Sequence, residues 1–234
     1  MIPTQNEYSS ARHRTVDAGV FPTPVTMLLA CIVAAALAAL PAAAEAVADA
    51  PIDEAATAAA RAPVIQLEDT LLSVMKRADD LGFEGRLREI TPVVEATFDL
   101  PFMAKTSIGR IWKQLSPDLQ TRWVETFTRY TTTKLADQFD SFSGQKFVLR
   151  GERPASRGTL IVMSRVERPG KDPVRLDFRV RKASAGWLII DIYGKGKVSE
   201  VALRRSEYAT ILEKTGIEGL IESVEALTAK TASK

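Results

Sequence analysis

The stretch Val174-Arg175-Leu176-Asp177-Phe178-Arg179-Val180-Arg181 alternates apolar and charged side chains at every step. A period of two places Val174, Leu176, Phe178 and Val180 on one side of a strand and the charges on the other, as in a sheet with one buried and one wet face. Three more strand-like runs surround it, at residues 146–153, 159–168 and 187–193. Breakers separate them: residues 154–158, then Pro169-Gly170-Lys171-Asp172-Pro173, then Ser184-Ala185-Gly186. Consecutive strands joined by such short turns form an antiparallel meander. Upstream the period becomes helical. Val64, Leu67, Leu71, Val74, Met75, Ala78 and Leu81 recur on one face, with Gly82 and Gly85 as the expected stop. An irregular helical stretch follows at residues 95–103. A long helix then opens at Ser116-Pro117-Asp118, which offers a capping hydroxyl, a proline at the first position and an acid facing the dipole. Its stripe is Leu119, Trp123, Phe127, Tyr130, Leu135 and Phe139, and it is expected to end near Ser143-Gly144. Two helices close the chain, the last carrying Ile217, Leu220, Ile221, Val224 and Leu227. The expected class is α+β: a curved four-stranded antiparallel sheet packed against helices on one face, without internal repeats.

The chain has 234 residues, 46% apolar and 26% charged, with a net charge of +2, which gives no argument for nucleic acid. Residues 25–44 are almost unbroken apolar sequence, preceded by Arg12 and Arg14 and followed by small residues around Ala44-Glu45-Ala46. This is the pattern of an export signal, expected to span residues 1–46. An uncleaved anchor and a lipoprotein-type cleavage at Cys31 are the rival readings. Residues 47–63 are alanine-rich and read as a disordered linker, leaving residues 64–230 as the working domain. Cys31 and His13 are the only cysteine and histidine, both in the leader. The domain therefore excludes a disulfide framework, a Cys/His zinc site and Ser-His or Cys-His catalysis. No metal and no cofactor are expected.

Gly170-Lys171 and Gly196-Lys197 fail the spacing of a phosphate loop, since neither has the upstream glycine or the following hydroxyl. Asp79-Asp80 lacks calcium-loop spacing. Asp177, Asp191 and Tyr193 leave two readings open. The carboxylates fix the sheet and its turns, or one is the general base of a small cavity enzyme acting on a hydrophobic substrate. The strand arginines (Arg150, Arg153, Arg157, Arg165, Arg168, Arg175, Arg179 and Arg181) form a solvated face or a surface for an acidic partner or anionic headgroups. The plainest feature is apolar surplus: Phe98, Leu100, Phe102, Met103, Ile108, Ile111 and Trp112 cluster before the long helix, and the strands add a broad apolar face. These residues suit an ordinary filled core, as in a structural envelope adaptor, or the walls of a cavity.

Three tracts then carry a family likeness: Phe98-Asp99-Leu100-Pro101-Phe102-Met103-Ala104, Ile108-Gly109-Arg110-Ile111-Trp112, and Ser116-Pro117-Asp118-Leu119-Gln120. With Trp187-Leu188-Ile189-Ile190-Asp191-Ile192, Gly196-Lys197-Val198-Ser199 and Arg204-Arg205-Ser206-Glu207-Tyr208, they resemble in order and spacing the toluene-tolerance (MlaC-like) family of periplasmic lipid-transport components. Phe139-Asp140-Ser141-Phe142-Ser143-Gly144 makes the chain most similar to the hopanoid-associated branch. The resemblance implies a monomeric, non-enzymatic carrier in the periplasm. It would shelter phospholipid or hopanoid tails between sheet and helices, and exchange them with an inner-membrane ABC transporter complex and an outer-membrane lipoprotein complex. From their apolar phase, the expected lipid-lining residues are Phe102, Met103, Trp112, Phe127, Tyr130, Leu176, Phe178 and Ile190.

Overall fold

The computed structural model describes residues 54–233, all within the unit Asp49–Lys234. The expected export signal (1–46), with its anchor and Cys31 alternatives, and residues 47–53 of the expected linker lie outside them. Helix α1 (Glu54–Lys76) begins inside that linker, so residues 54–63 are helical rather than disordered. Their alanines are strong helix formers, and Thr57, Ala60 and Pro63 are buried, which gives the segment a packed face that the apolar count missed. Helix α1 also ends earlier than expected, at Lys76. Helix α2 (Ala78–Thr97) takes over and breaks direction at Gly82, whose φ of 57° belongs to the left-handed region.

Helix α3 (Leu100–Ile108) is capped by Asp99, whose carboxylate accepts from the Phe102 amide at 3.1 Å. A 3-10 turn, Gly109–Gln114, leads to α4 (Pro117–Gln138), where the Ser116 hydroxyl accepts from the Leu119 amide as the sequence suggests. The strands are β1 (Lys146–Ala155), β2 (Thr159–Arg168), β3 (Lys171–Ala183) and β4 (Gly186–Gly194). A fifth, two-residue strand, β5 (Val198–Ser199), pairs with β4 and was not expected. The sheet is antiparallel throughout, in the order β1-β2-β3-β4-β5. Helix α5 (Glu200–Ala232) closes the domain and breaks at Gly216, which divides it into the two expected segments.

The inner face of the sheet is read from its register: Leu149/Ser164/Leu176, then Glu152/Val162/Phe178/Ile192, then Pro154/Leu160/Val180/Ile189. Helix α1 crosses this face over β1 to β4 and is fixed there by two polar pairs. Arg61 forks onto Glu152 of β1, with Nη2 to Oε2 at 2.7 Å, and Ser164 of β2 donates to Glu68 at 2.6 Å. Arg61 and Glu68 lie two helical turns apart and so share one face of α1. Helix α4 packs instead on α2, α3 and α5. Its Trp123 is fully buried, donates from the indole to the Ala104 carbonyl at 2.9 Å, and meets Tyr208 edge-on at 5.3 Å.

Candidate functional site

Between α4 and the inner face of β3 and β4 the side chains do not meet, and a cavity of about 250 Å³ remains. Its deep wall is apolar and buried: Leu67 and Leu71 from α1, Phe98, Met103 from α3, Phe127 from α4 and Phe178 from β3. Each comes from a stripe already visible in the sequence. The wall forms because the helical period of α1 and α4 and the alternation of β3 aim at one volume. Toward solvent the lining turns polar, with Thr131, Lys134 and Gln138 of α4 facing Glu200 and Arg204 of α5, and Gly194 at the end of β4. The Arg204 guanidinium lies 4.8 Å from the centre of the Tyr130 ring and pairs with Glu207 at 2.9 Å. Burial raises the Tyr130 phenol above its ordinary pKa, so it stays neutral. The mouth thus offers paired charges and hydrogen-bonding groups over an apolar floor.

Of the expected lining residues, Met103, Phe127, Tyr130, Leu176 and Phe178 reach the cavity. Phe102, Trp112 and Ile190 do not. Phe102 is drawn outward under the Arg181 guanidinium, 4.2 Å from its ring centre, because Arg181 also forks onto Asp99 at 2.8 and 2.5 Å. Trp112 lies on the 3-10 turn and lines a shallow outer depression with Pro117 and Val124. Ile190 is the extra residue of a bulge: Arg179 pairs with Asp191 and Val180 with Ile189, so alternation skips it and Ile192 takes the cavity position. The apolar lining residues missed are Leu67, Leu71, Phe98, Leu135, Phe139 and Ile192, all in tracts that also suit a filled core, together with Val201 and the polar mouth, for which the sequence carries no signal.

The two carboxylates weighed as bases do not line the cavity. Asp191 accepts from Ser199 Oγ at 2.5 Å and from the Ile192 and Val201 amides, tying β4 to the start of α5. Burial raises its pKa, against the pull of those three donors. Asp177 is buried beneath Arg175, which contacts both carboxylate oxygens at 2.6–3.0 Å. Among the described residues no group of three or more His, Cys, Asp or Glu side chains is placed to hold a metal ion, and no helix is long and apolar enough to cross a membrane.

The model of the family described as MlaC protein matches residues 66–226. Among solved structures, the phospholipid-binding protein from Ralstonia solanacearum, determined in complex with a phospholipid, superposes with a TM-score of 0.66 at 22% sequence identity, covering 74% of this chain and 98% of that one. At that identity the likeness shows the fold.

Proposed function

The chain belongs to the MlaC protein family, and from that premise we propose that it is a periplasmic lipid-binding carrier whose cavity between α4 and the sheet takes hydrocarbon tails. The observation that carries this reading is a cavity of about 250 Å³ with an apolar floor between the sheet and the helices. Natural interiors are close-packed, and sizeable empty apolar space forfeits dispersion contacts unless a guest supplies them. The phospholipid in the Ralstonia relative supports a lipid as that guest. Transfer of a methylene is worth about 0.8 kcal/mol, so a sixteen-carbon chain gains roughly 12 kcal/mol gross. Ordering the lipid and losing its translational freedom offset several kcal/mol of that, which leaves an affinity compatible with both extraction and release. Van der Waals walls suffice for this work, and the polar mouth leaves the headgroup near water.

In the finer reading the cargo is phospholipid or hopanoid. The chain is exported by its N-terminal signal and serves an ABC-type lipid transport system, exchanging cargo with the inner-membrane complex and an outer-membrane partner. The test is native mass spectrometry with organic extraction of protein isolated from its own periplasm. Near-stoichiometric bound lipid is expected, and protein that is lipid-free from that compartment would falsify the reading. Leu176→Trp, which extends a half-buried wall residue into the void, is expected to lower lipid occupancy severalfold without loss of the folded state by circular dichroism.

A further inference from the structure

We propose that the end of the sheet at which the cavity opens is a docking surface for an anionic bilayer, an inference that rests on the carrier reading above. The register brings the parts together: Leu176 pairs with Gly194, Arg168 with Lys171, and Lys146 with Glu167, so the β4–β5 turn, the β2–β3 turn and the loop before β1 share one end. Leu176 and Gly194 are cavity residues, and Phe139, also in the wall, leads into that loop. Four exposed lysines lie at this end, Lys146, Lys171, Lys195 and Lys197, and among the described residues none is in an ion pair. The acids nearby are Asp140, Asp172, Glu200 at the cavity mouth, 3.6 Å from Arg204, and Glu167, held by Arg165 at 2.5 Å. Of the five exposed large apolar side chains among the described residues, Val198 (51%) pairs with the cavity residue Gly194 and Leu203 (41%) precedes the cavity residue Arg204, while Phe142 (41%), in the loop before β1, has the Lys76 ammonium 5.7 Å from its ring centre.

The β4–β5 turn carries the second, independent sign. Lys195 and Gly196 both hold a left-handed backbone, with φ of 53° and 68°, and the turn is closed by the Lys197 amide on the Gly194 carbonyl at 3.2 Å. Such a turn favours Asn or Gly at its first central position. A lysine there keeps a cation at the tip in a conformation unfavourable for any side chain with a Cβ, the kind of local strain found at contact sites. Gly196 itself is required, because a Cβ would run into the Arg175 side chain. Single apolar tips among unpaired lysines do not form the packed apolar centre of a protein interface. They match a lipid surface, where each tip enters the headgroup layer and each lysine meets anionic lipid. Docked this way, a tail would pass between bilayer and cavity without crossing water.

The test is co-sedimentation of the full mature protein with vesicles of phosphatidylcholine alone and of phosphatidylcholine with phosphatidylglycerol, with bound lipid measured on the same preparations. Binding only to the phosphatidylglycerol vesicles, lost at high salt, is expected. The double variant Lys195→Ala/Lys197→Ala is expected to weaken it roughly thirtyfold and Val198→Ser severalfold, both keeping their bound lipid. Arg157→Ala is the control. It removes a cation from a similar left-handed turn (φ 62°) at the opposite end of the sheet, where Thr159 pairs with Arg181, and should leave binding unchanged. Equal binding to both vesicle types, equal loss in the control, or a lysine-dependent dimer in sizing experiments would each overturn the docking proposal while leaving a lipid-loaded carrier intact. Absence of bound lipid would overturn the carrier reading instead.

Discussion

Glu68 is a carboxyl group held between α1 and the sheet, with the Ser164 hydroxyl as donor. Burial raises its pKa from 4.5 to about 7, against the Ser164 hydrogen bond and with a small addition from Asp69. The folded state therefore binds this proton more tightly than the unfolded chain. The resulting stability is fully present below about pH 4.5 and is lost as pH rises toward and through 7. The shift amounts to roughly 3 kcal/mol. Glu68→Gln keeps a partner for Ser164 and should flatten the rise in unfolding free energy on acidification across that window, as read from denaturant melts at stepped pH. Asp99 serves two roles, capping α3 and holding Arg181. Asp99→Ala should cost about 2 kcal/mol in the same assay, from a lost cap and a charge-assisted pair. Lys195→Asn should do the reverse, gaining about 0.5–1 kcal/mol by relieving the left-handed backbone while weakening association with anionic vesicles. The Asp99 cap resembles the Ser116 cap in sequence, but its partner Arg181 is 82 residues away and no local pattern announces it.

At the scale of elements, every strand with a clean two-residue period emerged close to its expected limits, because alternation and breakers are local signals. The register within β4 was not legible. Strict alternation would put Leu188, Ile190 and Ile192 on one face, yet the bulge between Asp191 and Ile189 gives the cavity-side positions to Ile189 and Ile192 and leaves Ile190, still buried, off that face. Three adjacent isoleucine or leucine side chains carry no phase of their own, so hydrogen bonding to β3 and to Asp99 decides it. Helix α1 shows the opposite error. Its first ten residues are poor in large apolar side chains, while alanine propensity and the Arg61 fork on Glu152 hold them in the helix. That fork and the Glu68–Ser164 pair fix which turn of α1 lies over which strand. Arg61→Ala should leave Glu152 buried without its cation and lower the melting temperature by several degrees, an outcome that Glu152→Gln in the same background should partly reverse.

For the whole molecule, the sequence shows which faces are apolar but not that they stop short of touching. Five of the eight expected lining residues do reach the cavity, since periodicity chooses a face. Whether that face closes on its neighbour depends on how far apart the elements sit, a sum over many contacts with no local signature. Occupancy should therefore register globally: protein stripped of lipid is expected to melt below the loaded form, with the difference growing with the concentration of lipid resupplied. The two sides of the void are also built differently. Helix α1 is fastened to β1 and β2 by ionic and hydroxyl links, whereas α4 packs chiefly on the helices α2, α3 and α5 across the gap from the strands. The slot is a vice with one jaw bolted down and the other sprung. A bulkier passenger is therefore expected to widen it by displacing the sprung jaw, with every rung of the ladder still closed when read by hydrogen exchange.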